Sequence, residues 1–189
     1  MKYQDILNTL NPKVRIESLK PLEGPKLGRL NLKTRIIVRK FINEEARLKD
    51  NPYEVKVTEG NIGLNEGIQN ALDLITGLGG TAYNTGNSWL GVGTATATST
   101  ATEIGLLAAT DATSSLYGDM DSTSYPGRST QTVSWRSTFG ATSANFHWQE
   151  FSLADACSNA GNNLIRKVDD QGTKVSGQSW ELTLQVTLS

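Results

Sequence analysis

Apolar and polar residues alternate without interruption over the last eleven residues of the chain. The apolar positions are Trp180, Leu182, Leu184, Val186 and Leu188. Because successive side chains of a strand point to opposite faces, this pattern predicts a strand with one buried and one solvated face. Burial of five such side chains contributes at most about 8–15 kcal/mol, and ordering the backbone costs a similar amount at roughly 1–2 kcal/mol per residue. The strand therefore requires a sheet and an opposing layer.

Further strands are predicted at short intervals along the chain, separated by clusters of turn-forming residues. They cover residues 30–42, 53–57, 88–93, 131–140, 145–153 and 163–168. The first carries Lys33, Arg35 and Arg39 on one face, which is typical of an edge strand. This spacing predicts a mainly β fold, with a β-sandwich or jelly-roll-like body.

Helical periodicity marks residues 64–76, where one apolar stripe consists of Leu64, Ile68, Leu72 and Ile75. We expect this amphipathic helix to pack on the body and to end at Gly77. A shorter helix is predicted over residues 43–50, with Asn43 as its cap.

Two other segments lack a clear strand pattern. Thr100 and Glu103 have the spacing of a capping box, which predicts another short helix there. Residues 110–130 are polar and rich in Gly, Ser and Asp, which predicts a long loop.

The first 56 residues are predicted to form an N-terminal arm that includes the edge strand, and residues 57–189 to form the β-sandwich body. Pro12, Pro21 and Pro25 favour extended backbone in the arm, but the arm is too apolar for a solvated linker. Its candidate subunit-contact residues are Val14, Ile16, Leu19, Leu22, Leu27 and Leu30. Packing on its own body and crossing to a neighbouring subunit are both open.

The net charge of −1 conceals an uneven distribution. Residues 1–60 contain 13 Lys and Arg against 8 Asp and Glu, and residues 61–189 contain 5 against 11. A basic arm on an acidic body suggests self-association or docking on a neighbour. Acidic residues interrupt the basic arm, which argues against nucleic acid as a partner. The sequence contains no apolar run long enough to predict a membrane span or a secretion signal.

Residues suited to catalysis or metal binding are scarce. His147 is the single histidine, and no Gly-x-Ser-x-Gly motif is present to display a nucleophile. One His and one Cys cannot form a zinc site, and Cys157 lacks basic neighbours that would activate its thiol. The loop carboxylates Asp119, Asp121, Asp169 and Asp170 lack the spacing of a calcium loop. We therefore predict no catalytic residues, no cofactor and no metal, and no enzyme activity.

Several ordered blocks between residues 57 and 189 resemble a poorly characterised family of tailed-bacteriophage structural proteins. The most distinctive blocks are Arg136-Ser-Thr-Phe-Gly140 and Ala144-Asn-Phe-His-Trp-Gln-Glu150. Others begin at Gly60, Gly80, Leu90, Gly118, Arg166 and Trp180. The resemblance does not cover the arm and carries over no catalytic residues.

This resemblance implies a virion structural protein made in the host cytoplasm. The first hypothesis is a capsid decoration or cement protein that stabilises the shell through subunit contacts. Its expected partners are other virion proteins, above all the major capsid protein. It is also expected to be a homo-oligomer, with a trimer as one closed arrangement.

Two alternatives remain open. The chain could be a tail or fibre-base component that contacts a host receptor or glycan, with Trp89, Trp135 and Trp148 stacking on sugars if they are exposed. A glycan-degrading enzyme would instead require two facing carboxylates in a cleft.

Overall fold

The structure is a computed structural model, and it describes residues 32–189. The six candidate contact residues of the arm lie outside the described residues. The elements in chain order are β1 (Leu32–Phe41), α1 (Glu44–Leu48), β2 (Glu54–Glu59), β3 (Ile62–Gly63), α2 (Asn65–Thr76), β4 (Trp89–Gly93), β5 (Ser115–Asp119), β6 (Gly127–Ser129), β7 (Thr132–Phe139), β8 (His147–Ala154), β9 (Asn163–Thr173) and β10 (Ser179–Leu188).

The strands form two antiparallel five-stranded sheets. The first sheet has the order β2-β1-β10-β7-β6, and the second has the order β3-β9-β8-β4-β5. The fold is therefore mainly β, as the alternating pattern predicted, with two packed sheets and one 12-residue helix, α2.

The core lies between the sheets and is centred on aromatic side chains. Trp148 of the second sheet packs edge-on against Phe139 and Trp180 of the first, each with ring centroids 4.9 Å apart. The predicted inward positions of β10 are buried, namely Trp180, Leu182, Leu184 and Val186. Leu188 at the strand end is exposed.

The outward face of β10 is only partly solvated, which differs from the prediction. Ser179 and Glu181 are buried because α1 and β1 cover them. The Ser179 hydroxyl donates to Glu44 at 2.8 Å, and the Glu181 carboxylate pairs with Arg39 at 3.1 Å. Asn43 caps α1 by accepting from the backbone N–H of Ala46, as predicted.

The predicted edge position of β1 is wrong. β1 pairs with β10 on one side and with β2 on the other, so β2 is the edge strand of the first sheet. The charged side chains of β1 do point to the outer face of the sheet, but the strand itself lies between β2 and β10.

Three further predictions of secondary structure are wrong. The capping-box segment forms no helix, and its Glu103 side chain pairs with Arg166 at 3.0 Å. The predicted loop over residues 110–130 contains β5 and β6. β9 continues to Thr173, five residues beyond the predicted end of this strand at residue 168.

Candidate functional site

Helix α2 packs on the body through small and polar residues. Its buried positions are Gly67 and Asn70. A Cβ added to Gly67 would lie less than 3.0 Å from the backbone of Asn163 and Leu164, so only glycine permits this close approach of α2 to β9. Asn70 exchanges two hydrogen bonds with the backbone of Thr81, at 2.8 and 2.9 Å.

This packing leaves most of the apolar stripe of α2 in solvent. Leu64, which precedes the helix, is buried, but Ile68, Leu72 and Ile75 are 44%, 54% and 80% exposed. We refer to Ile68, Leu72 and Ile75 as the α2 face. The prediction of an amphipathic helix is correct, but its apolar face does not join the core. Covering such side chains is worth roughly 1.5–3 kcal/mol each, so the α2 face is suited to binding another surface.

The negative end of α2 lies next to this face. Asp73 is in the last turn, that turn contains no basic residue, and Gly77 closes the helix in the left-handed conformation. The helix dipole places partial negative charge at this end. Residues 57–127 contain seven Asp and Glu and no Lys or Arg.

A second apolar patch lies on the outer face of the first sheet. Ile37 of β1 is directly opposite Val57 of β2, and Arg39 is opposite Val55. Val55 and Val57 are 51% and 45% exposed on the edge strand. We define the β1–β2 face as Lys33, Arg35, Ile37, Arg39, Val55 and Val57.

The β1–β2 face carries positive charge. Lys33 and Arg35 are exposed, and neither forms an ion pair with another described residue. Arg39 is neutralised by Glu181 and Asp50. Glu59, opposite Arg35, is the acidic residue of this region.

A buried ion cluster fixes the segment that covers the outside of the second sheet. Glu150 and Arg166 are fully buried and pair at 2.7 Å. Glu150 also accepts from the backbone N–H groups of Leu107 and Ala108, at 2.9 and 2.7 Å. Arg166 also donates to the Ala97 carbonyl at 3.0 Å. The cluster therefore uses both charges to hold a loop, which is a structural role.

A second buried cation lies beside the core. Lys40 donates to Glu54 at 2.7 Å and lies over the ring of Trp180 at 4.6 Å. Desolvation lowers the pKa of Lys40, and the Glu54 carboxylate opposes that shift. This pair joins the edge strand β2 to β1.

The residues considered for chemistry are either exposed or engaged within the chain. His147 is partly exposed and pairs with Asp170 at 2.6 Å, which lowers the pKa of that carboxyl. Asp121 accepts from Arg136 and Thr138, and Asp169 accepts from Thr58. Among residues 32–189, no three His, Cys, Asp or Glu side chains are grouped to hold a metal ion.

Three surface concavities bear on the glycosidase alternative. They have volumes of about 430, 740 and 230 Å³. The first has no carboxylate in its lining, the second has only Glu59, and the third only Asp111. None of these three offers the facing carboxylates that glycoside hydrolysis uses.

The tryptophans considered for sugar stacking are largely in the core. Trp135 and Trp148 are buried, and the Trp135 indole donates to the Tyr83 carbonyl at 3.1 Å. Trp89 is half-buried at the start of β4. Of the three, only Trp89 has a ring that a sugar could reach.

The sequence placed these residues in one helix and two strands but did not predict that they form two exposed faces. The signal for the α2 face was Gly67, a glycine inside a helix, which commonly marks a close backbone approach. For the β1–β2 face, the signal was the apolar pair Val55 and Val57 on a short strand that begins after Pro52.

No helix formed by the described residues is long and apolar enough to cross a membrane. Comparisons of the chain with protein-family models, with curated proteins and with solved structures found no match.

Proposed function

We propose that this chain is a structural protein of a tailed-bacteriophage virion, with capsid decoration or cementing as its specific role. The observation that carries the proposal is the exposure of the α2 face and the β1–β2 face on a rigid β-sandwich. Such a body acts by contact, and stable interfaces bury on the order of 1,200–2,000 Å². The ordered sequence blocks of residues 57–189 support the viral setting.

The internal contacts of the protein suit this role. The buried Glu150–Arg166 pair and the Trp148 cluster hold both sheets and the covering loop in one arrangement. A subunit that binds by surface complementarity gains affinity when its surface is already ordered. Its expected partners are the major capsid protein and further copies of itself.

Cryo-electron microscopy of the intact particle tests this proposal. We expect density for the β-sandwich on the outer surface of the capsid shell, bound at regular positions. Particles that lack the protein should lose their DNA at lower temperature or lower salt than complete particles. Density on the tail or at the fibre base alone would contradict the decoration role and favour the receptor-binding alternative.

A further inference from the structure

We propose that the α2 face of one copy binds the β1–β2 face of a second copy, in a head-to-tail contact. This inference rests on the proposed role as an assembling subunit and names the two surfaces that meet. Both surfaces are apolar at the centre and exposed, and both belong to described elements.

Charge complementarity selects the β1–β2 face as the occupant of the α2 face. The α2 face reaches the C-terminal, negative end of the helix, whose last turn contains Asp73 and no basic residue. The β1–β2 face presents Lys33 and Arg35, which form no ion pair with other described residues. The positive side chains of the β1–β2 face and the negative helix end therefore favour a contact between these two unlike faces.

The positions of the two faces allow a closed assembly. The β1–β2 face lies on the edge of the first sheet, whereas α2 packs against β9 of the second sheet. One copy can therefore use both faces at once. A contact between unlike faces produces rings when the rotation between neighbours closes.

The edge strand gives a further reason for this contact. β2 has no strand partner on its outer side among the described residues, and its exposed side chains include Val55 and Val57. Exposed apolar side chains on an open edge strand favour association with another surface. Docking of a helix beside this edge would cover the two valines.

Sedimentation velocity of the full chain over a range of concentrations tests the proposal with two variants. The α2 variant carries Leu72→Gln and Ile75→Gln, and the β2 variant carries Val55→Thr and Val57→Thr. We expect the wild type to form assemblies of three or more copies. Each variant should raise the dissociation constant at least tenfold. Val175→Thr, which alters an exposed valine outside both faces, should leave association unchanged.

Mixing the two variants provides the decisive measurement. The α2 variant retains an intact β1–β2 face, and the β2 variant retains an intact α2 face. A 1:1 mixture should therefore form a two-chain species that neither variant forms alone, and it should form no ring. Circular dichroism and the unfolding midpoint would show that both variants remain folded.

Three results would overturn the proposal. The first is a wild type that stays monomeric at all concentrations. The second is a mixture that is no more associated than its components. The third is a β2 variant that associates like the wild type while deletion of residues 1–28 abolishes association, which would assign the α2 face to the N-terminal segment. Because these measurements use purified protein, they are independent of where the protein lies in the particle.

Discussion

Lys174 is a buried lysine whose partners among the described residues are all neutral oxygens. Its ammonium donates to the carbonyls of Gly140 and Ser143, at 2.7 and 3.0 Å, and to the Asn145 side chain at 2.8 Å. Burial lowers the pKa of Lys174 from 10.5 to about 8. The residue thus ties the end of β9 to the turn between β7 and β8.

This shift in pKa predicts a specific pH dependence of stability. The unfolded chain retains the Lys174 proton up to about pH 10.5, and the folded chain retains it only up to about pH 8. Between these values the unfolded state binds more protons, so the free energy of unfolding rises with pH, by at most about 1.4 kcal/mol per pH unit. Lys174→Met should lack this rise, as measured by urea unfolding between pH 7 and pH 10.

An exposed lysine provides the matched control for that experiment. Lys49→Met removes an exposed lysine of the α1 segment and should keep the wild-type pH dependence. An equal pH dependence in the wild type and Lys174→Met would show that the Lys174 ammonium is not desolvated in the folded protein.

Individual buried charges could not be identified from the sequence. Glu150 and Arg166 are 16 residues apart and meet because β8 and β9 are neighbours in the second sheet. Glu and Arg are mostly exposed in proteins. Their residue types therefore predict that both side chains lie in solvent, whereas both are buried. The pairing depends on strand order, which no local pattern encodes.

At the scale of elements, strands with one face in the core were easier to predict than polar strand segments. The alternating pattern located β7 and β10 because one face of each strand packs in the core. The end of β9 was missed because Asp169, Asp170 and Gln171 are polar. Their strand conformation is supported by contacts with distant residues, such as the 2.6 Å hydrogen bond from Thr58 to Asp169.

Gly67→Ala tests how α2 is positioned. Alanine normally stabilises a helix relative to glycine, by about 1 kcal/mol. Here its Cβ would collide with the backbone of Asn163 and Leu164, so we expect a net destabilisation of roughly 1–3 kcal/mol in chemical denaturation. Gln69→Ala, on the exposed side of the same helix, should be neutral or stabilising. A Gly67→Ala protein as stable as the wild type would mean that α2 does not pack closely on β9.

At the scale of the whole molecule, the N-terminal arm provides a further prediction. Its apolar residues suggest that it contacts another subunit or virion protein. Deletion of residues 1–28 should therefore leave the thermal unfolding midpoint of the body within a few degrees of the wild-type value. The same deletion should reduce incorporation into particles, measured as the amount of protein that sediments with purified virions.

The alternative for the arm leads to a different result. If residues 1–28 pack on their own body, their deletion should lower the unfolding midpoint substantially or prevent folding. Deletion with no effect on either stability or incorporation would contradict a contact function for the arm.

The fold class and the inward faces of the central strands follow from the amino-acid sequence alone, because alternation with a period of two is a local property of a strand. The apolar stripe of α2 follows from it as well, because the period of a helix is equally local. That β2, and not β1, lies at the sheet edge depends on how the strands pair in the folded chain. Only the tertiary structure turned the α2 face outward, because the close approach at Gly67 orients the helix on β9. Exposure depends on which elements become neighbours, and that is settled when the chain packs.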